Sequence, residues 1–153
     1  NFCDSSSNGR FRWMISHLKL WSWNLTKRVL IVDDENFIRL LLRRTLEDLE
    51  FEGVELLTAS DGIEGLQVAR ETKPDLIFLD LMMPGMSGEQ VCAALRGDPT
   101  FEQTHIIILT AKGQATEFPE GLGPDEYLTK PFDPDHIVDR AATVLGVELD
   151  FEV

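Results

Sequence analysis

The stretch Asp75-Leu76-Ile77-Phe78-Leu79-Asp80 decides the fold. Four consecutive apolar residues stand between two aspartates, so a strand formed here has no polar face. Such strands are typical of the centre of a parallel sheet, where helices cover both sides. The run Ile106-Ile107-Ile108-Leu109 has the same character. The two runs therefore indicate central strands of an α/β protein.

Outward from this stretch, β-rich runs alternate with segments that have helical spacing. Strands are predicted at 28–32, 54–58, 76–79, 106–109 and 127–129. Helices are predicted at 37–49, 62–71, 87–96 and 136–145. This alternation predicts a doubly wound α/β fold, in which helices sandwich a five-stranded parallel sheet.

Length and composition agree with one globular domain. The 153 residues are enough for a single core and too few for two ordinary domains. Hydrophobic residues make up 43% of the chain and charged residues 27%, which excludes general disorder and a membrane bundle. Cys3 and Cys92 match no zinc spacing and form no disulfide framework, which favours a reducing, cytoplasmic setting.

Charge is divided unevenly along the chain. Residues 1–28 hold five cationic side chains and one carboxylate, a net charge of +4. Residues 29–153 hold 9 cationic side chains and 26 carboxylates, a net charge of −17. Because an acidic body repels nucleic-acid phosphates, we expect no direct nucleic acid binding. The charge suits a metal cation or a basic partner surface instead.

The first 26 residues differ from the rest of the chain. They include an apolar stretch that contains Trp13, Trp21 and Trp23. Cationic and polar residues interrupt this stretch, so we expect no transmembrane segment, and a secretory cleavage site is missing. We interpret 1–26 as a leader or tag-like segment, with a basic amphipathic docking segment as the alternative. The domain is then 27–148, followed by a tail at 149–153.

Polar side chains stand where four of the predicted strands end. Asp33, Asp34 and Glu35 follow the first strand, and Asp80 follows the third. The fourth strand is followed by Thr110, and the fifth by Lys130 and Pro131. In a doubly wound sheet the site lies outside the carboxyl ends of the strands. We therefore expect three aspartates, a hydroxyl and an ammonium group to converge there.

This set of side chains indicates metal-assisted phosphoryl chemistry. Clustered carboxylates repel one another, so they stay ionised together only beside a cation. Hard oxygen ligands with room for water and phosphate favour Mg²⁺ over zinc. A lysine opposite them can bind a phosphoryl oxygen as a point charge. A carboxylate beside Mg²⁺ can attack phosphorus and form an acyl phosphate.

Four segments of the chain resemble the receiver domains of two-component response regulators. They are 29–35, 75–88, 107–111 and 127–132, and they occur in the family's order and at spacing like that of the family. The resemblance covers nearly all of 28–145. It implies a flavodoxin-like receiver fold and a phosphoryl-accepting signalling switch.

The resemblance also implies a role for each acidic residue. Asp80 would be phosphorylated by a sensor histidine kinase or a histidine phosphotransfer protein. Asp34 and Asp80 would ligate Mg²⁺ directly, together with the Met82 carbonyl. Asp33 would act on the metal largely through bound water, and Lys130 would contact the phosphoryl group.

Two further residues match the switch positions of the family. Thr110 would move towards the phosphoryl group, and Tyr127 occupies the position of the switch aromatic. The peptide bond between Lys130 and Pro131 is usually cis in the family, a state that proline permits. The downstream target is not indicated by the sequence.

The segment between the fourth and fifth strands departs most from the family. Residues 112–124 contain three glycines and two prolines, which are poor helix formers. We expect the helix at this place, the fourth of the receiver fold, to be short or irregular, with little more than one turn around 114–118. Since this helix forms one edge of the usual output surface, we expect a monomer or a weak dimer.

Two other functions compete with the switch. A receiver-like scaffold could work by protein–protein contact without phosphorylation, but it has no need of the complete set of polar residues. An aspartate-dependent phosphatase would place a second aspartate two residues after the nucleophile, and Met82 stands there instead. We therefore expect no turnover of external substrates, only self-catalysed phosphoryl transfer and dephosphorylation.

Overall fold

Five parallel strands form one sheet in the order β2-β1-β3-β4-β5. The computed structural model describes residues 26–111 and 117–149. The strands are β1 (Arg28–Val32), β2 (Glu55–Ala59), β3 (Leu76–Asp80), β4 (His105–Ala111) and β5 (Glu126–Lys130). This order has its switch point between β1 and β3, as in doubly wound folds with the flavodoxin-like order. The predicted fold class is confirmed.

Helices cover both faces of the sheet. They are α1 (Asn36–Thr45), α2 (Glu47–Phe51), α3 (Gly62–Thr72), α4 (Gly88–Arg96) and α5 (Pro134–Leu145), with a 3-10 turn at Pro99–Phe101. One apolar cluster fills the space between the sheet and α3 and α4. The other lies between the sheet and α1, α2 and α5. Because β1, β3 and β4 contribute to both clusters, their apolar side chains are almost completely buried.

Three site residues lie inside their strands rather than directly after them. Asp80 pairs with Leu109 across β3 and β4, and Thr110 pairs with Thr129 across β4 and β5. The backbone ladder therefore continues past the last apolar residue of each run. Lys130 is likewise the last residue of β5. These side chains stand on the rigid ladder and not on a loop.

The first predicted helix is divided into two at Leu46. The Thr45 hydroxyl donates to the Leu41 carbonyl over 2.8 Å, and α2 then starts with Glu47 and Asp48 in its first turn. Carboxylates stabilise the amino end of a helix and destabilise the carboxyl end of one. Glu47 and Asp48 are therefore more favourable in the first turn of a second helix than near the end of one continuous helix.

The connection between β4 and β5 contains no helix in its described part. Residues 117–124 form turns and irregular backbone, and 112–116 lie outside the described residues. The segment 1–26, which the sequence predicts to be a leader, also lies outside the described residues except for residue 26. The same holds for the predicted tail, 149–153, except for residue 149. None of the helices in the described ranges is long and apolar enough to cross a membrane.

Candidate functional site

The site lies at the carboxyl ends of β1, β3 and β5. Asp33 and Asp34 directly follow β1, whereas Asp80 ends β3 and Lys130 ends β5. Since parallel strands all end at the same edge of the sheet, residues up to 97 positions apart come into contact there. The structure brings these four residues together as the sequence predicts.

An ammonium group bridges two buried carboxylates. Lys130 Nζ donates to Asp33 Oδ2 over 3.1 Å and to Asp80 Oδ1 over 3.2 Å. Asp33 is fully buried and Asp80 is 5% exposed, while Asp34 faces solvent. One carboxylate oxygen from each of the three aspartates lies within 4.8 Å of the other two. Two of the three carboxylates are thus buried, and the third is accessible to solvent.

Burial and charge act against each other at this cluster. Burial and, to a lesser extent, the Asp33 carboxylate raise the pKa of Asp80 to about 6, although Lys130 opposes both effects. Burial alone would lower the pKa of Lys130, yet the carboxylates of Asp33 and Asp80 raise it overall. A single ammonium does not compensate three neighbouring carboxylates, so the site favours an additional cation.

The donor set fits a hard divalent cation. All three candidate ligands are carboxylates, and the exposed side chain of Asp34 leaves room for water on the metal. Mg²⁺ keeps several waters and is usually bound through one or two carboxylates. Asp33, Asp34 and Asp80 can hold such an ion, and the Met82 carbonyl stays a prediction.

Asp33 forms the turn that leads from β1 into α1 and also belongs to the cluster. Its Oδ1 accepts from the Glu35 backbone N–H over 2.9 Å, while its Oδ2 faces Lys130. The Arg39 guanidinium donates to the Asp33 carbonyl over 2.7 Å, which fixes the backbone at the end of β1. One oxygen of this side chain therefore stabilises the turn before α1, and the other belongs to the acidic site.

Gly88 allows the chain to turn back against the end of β3. Its backbone N–H donates to the Leu81 carbonyl over 2.9 Å. A Cβ atom on Gly88 would lie 2.2 Å from the Asp80 carbonyl oxygen and 2.9 Å from Leu81 Cα. Ser87 caps α4 in a capping box with Gln90. A glycine is thus required where α4 begins beside Asp80.

The remaining predicted residues differ in how far their side chains are exposed. Thr110 is 6% exposed and stands one position beyond Leu109, the strand partner of Asp80. Tyr127 is 48% exposed, and the centroid of its ring lies 6.3 Å from that of Phe118. The side chain of Met82 is 65% exposed, and the peptide bond between Lys130 and Pro131 is cis.

Sequence reasoning missed the supporting residues of the site. Gly88 follows the capping Ser87, and that pair signals a helix start but not the close approach to Asp80. Arg39 looks like a solvated cation on a helix, and nothing in its spacing indicates the carbonyl of Asp33. Both contacts depend on tertiary structure.

Comparisons with known proteins agree with this geometry. The model of the response regulator receiver domain matches residues 29–142. The alkaline phosphatase synthesis transcriptional regulatory protein PhoP of Bacillus subtilis is 42% identical over 123 residues, covering 79% of this chain and 49% of that protein. The transcriptional regulatory protein SrrA of Staphylococcus aureus is 44% identical over 123 residues, covering 79% and 48%. The chain spans about half the length of these relatives.

Solved structures are similar over more than three quarters of this chain. The chemotaxis protein CheY4 of Vibrio cholerae has 32% identity and a TM-score of 0.63, and the match covers 78% of this chain and 98% of that one. A response regulator from Chloroflexus aurantiacus has 32% identity and a TM-score of 0.68, with 79% and 98% covered. Both structures thus share about a third of their aligned residues with this chain as well as its fold.

Proposed function

Since the chain belongs to the response regulator receiver family, we propose that it is a phosphoryl-accepting switch of a two-component system, with Asp80 as the acceptor. One observation carries the proposal. Asp80 is a buried carboxylate that faces the Lys130 ammonium at 3.2 Å and lies beside two further aspartates. Two-component signalling follows from the family, and the acceptor role of Asp80 is our proposal.

The proposed step transfers phosphate from a phosphohistidine. A P–O bond forms between an Asp80 oxygen and phosphorus as the P–N bond breaks, and the ring nitrogen keeps that electron pair. The donor carries a proton on its second ring nitrogen, so the histidine leaves as neutral imidazole. The product is an acyl phosphate on Asp80. Lys130 then pairs with a phosphoryl oxygen, as a point charge does.

Asp33, Asp34, Asp80 and the Met82 carbonyl would hold Mg²⁺, Asp33 mainly through water. The ion would supply positive charge that keeps Asp80 ionised and offsets the charge of the incoming phosphate. Thr110 would donate its hydroxyl to the phosphoryl group, and Tyr127 would repack when Thr110 moves. Such a change is a shift between two populated arrangements rather than a new fold.

We propose a sensor histidine kinase or a histidine phosphotransfer protein as the donor, in the cytoplasm. The downstream target stays open. Direct nucleic acid binding by this domain is not part of the proposal, because its charge is strongly negative. We propose no external substrate, since the transfer and the later hydrolysis both occur on Asp80. A monomer or weak dimer suits the irregular β4–β5 connection.

Intact mass spectrometry tests the acceptor assignment. The full chain is incubated with Mg²⁺ and acetyl phosphate, and we expect a mass gain of one phosphate. Asp80→Asn should abolish the gain and retain the far-ultraviolet circular dichroism spectrum. Asp139→Asn, at an exposed position on α5, is the matched control and should gain phosphate like the wild type. A wild-type gain in Asp80→Asn would overturn the assignment, and removal of Mg²⁺ should prevent the gain in every variant.

A further inference from the structure

A groove of about 700 Å³ separates α5 from α1 and α2. Its apolar part is formed by Val138, Ala142, Val147 and Leu149, all of which are only partly buried. The groove lies outside the acidic site and contains none of its four contacting residues. Packing within the described residues leaves this apolar surface incompletely covered.

The groove carries charge of one sign. Asp48 lines it from α2, and Asp135 and Asp139 line it from α5. All three carboxylates are exposed. Among the described residues that line the groove, none is cationic. A fitting occupant therefore combines apolar bulk with positive charge.

Residues 1–25 have this combination, and they lie outside the described residues. They hold every tryptophan of the chain, at positions 13, 21 and 23. They also hold Arg10, Arg12 and Lys19 against a single carboxylate. The model of the family begins only at residue 29, so this segment lies outside the match to the receiver family.

The first described residues, which follow this segment in the chain, lie at the edge of the sheet where the groove ends. β1 begins at the amino edge of the sheet, and the Lys27 carbonyl accepts there from the Glu55 N–H over 2.9 Å. Helices that return between parallel strands end at this same edge, so α2 and the carboxyl end of α5 lie close to it. Asp48 and Val147 line the groove there.

The segment is long enough to fill the groove. The 13 residues from Trp13 to Leu25 span roughly 45 Å when extended and roughly 20 Å as a helix. The 12 residues of α5 are about 18 Å long. The segment can therefore follow the whole of α5 in either form.

Two other occupants fit less well. In a symmetric contact between two copies, Asp48, Asp135 and Asp139 would meet the same carboxylates of the partner. The end of the chain, 150–153, carries Asp150 and Glu152 and would also bring like charge to the groove. Charge thus favours the amino-terminal segment.

We propose that residues 10–25 dock in the α1–α5 groove of their own chain. The tryptophan rings lie on the apolar surface, and the cationic side chains lie near the three carboxylates. Large aromatic rings bury extensive apolar area, which provides the main stabilisation. The ion pairs at the rim are partly exposed and set the orientation.

Tryptophan fluorescence of the full chain tests this docking, since all three tryptophans belong to the segment. We expect blue-shifted emission and slow acrylamide quenching in the native chain. Val138→Lys should shift the emission to the red and raise the quenching rate. Asp139→Lys should weaken docking roughly two- to five-fold, as expected for a partly exposed ion pair. Glu102→Lys makes the same charge change on the opposite face of the sheet and should change nothing.

Three results would overturn the proposal. One is native emission and quenching equal to those in denaturant. Another is a blue shift that persists in both groove variants while circular dichroism shows them folded. The last is a blue shift that appears only as a dimer forms in sedimentation, or only with anionic phospholipid vesicles, because the occupant or the docking surface is then a different one.

Discussion

At the scale of single residues, Asp80 connects the chemistry to stability. Its pKa is about 6 in the folded chain and near 3.8 when unfolded, so the folded state binds more protons between these values. The free energy of unfolding therefore falls as pH rises from about 4 to about 6. Lys130 stays protonated in both states over this range and adds no pH dependence.

We predict that, in protein freed of metal by a chelator, ionisation of Asp80 lowers the free energy of unfolding by on the order of 3 kcal/mol between about pH 4 and about pH 6. Asp80→Asn should lack this component and be more stable than the wild type at pH 7. Urea unfolding at a series of pH values measures both effects. Equal pH profiles for the two chains would contradict the burial of an ionised Asp80.

The close approach at Gly88 gives a second prediction. Gly88→Ala places a methyl group against the backbone of Asp80 and Leu81, so the loop must shift. We expect a loss of about 1–3 kcal/mol in urea unfolding, as for other overpacked sites, together with slower phosphate gain. Gly97→Ala is the control, because its methyl group would meet only two backbone oxygens, at 3.4 and 3.7 Å. If Gly88→Ala and Gly97→Ala lower the free energy of unfolding equally, then the backbone around position 88 shifts enough to avoid the close contact.

The sequence predicted the acidic residues and not their supports. Asp33, Asp34, Asp80 and Lys130 could be found because each stands at the end of an apolar run, and parallel strands end at one edge. The close approach at Gly88 depends on where α4 packs, which no local pattern contains. The position of Tyr127 against Phe118 likewise depends on tertiary structure.

At the scale of elements, Arg96 fixes the described part of the β4–β5 connection, residues 117–124, which contains no helix. Its guanidinium donates to the carbonyls of Phe101 and Thr104 over 3.1 and 2.8 Å, and to that of Gly123 over 3.1 Å. It also pairs with Asp125, and its side chain is only 11% exposed. One side chain from α4 therefore fixes the entry to β5.

We predict that Arg96→Lys destabilises the chain by about 2 kcal/mol, because an ammonium cannot satisfy this fork of acceptors. Hydrogen exchange should quicken in 117–125 more than in α3. Arg70→Lys, at an exposed position on α3, is the matched control and should be neutral. Unchanged exchange in 117–125 would mean that Arg96 is not the anchor.

Helix ends were harder to predict than strands. Apolar periodicity continues through Leu46, so the sequence indicated one helix where two exist. Glycine and proline content predicted an irregular β4–β5 connection, and the turns at 117–124 agree with it. The contacts of Arg96 leave no sequence signal, since three of its acceptors are backbone carbonyls and the fourth, Asp125, is 29 positions away.

At the scale of the whole molecule, the amino-terminal segment and the acidic site should be separable. Deletion of 1–25 leaves the cluster of Asp33, Asp80 and Lys130 intact, so phosphate gain should stay within a few-fold of that of the full chain. Intact mass against time measures this. If the segment docks as proposed, the deletion also lowers the free energy of unfolding, because the groove becomes exposed. A complete loss of phosphate gain in a folded deletion variant would show that the segment takes part in the chemistry.

The separation of 97 positions between Asp33 and Lys130 also has a consequence during synthesis. A growing polypeptide that has reached residue 110 already contains every carboxylate of the site, but the ammonium that bridges two of them has not yet been translated. If Asp80 accepts phosphate as proposed, its site is therefore complete only after the ribosome has passed the final strand.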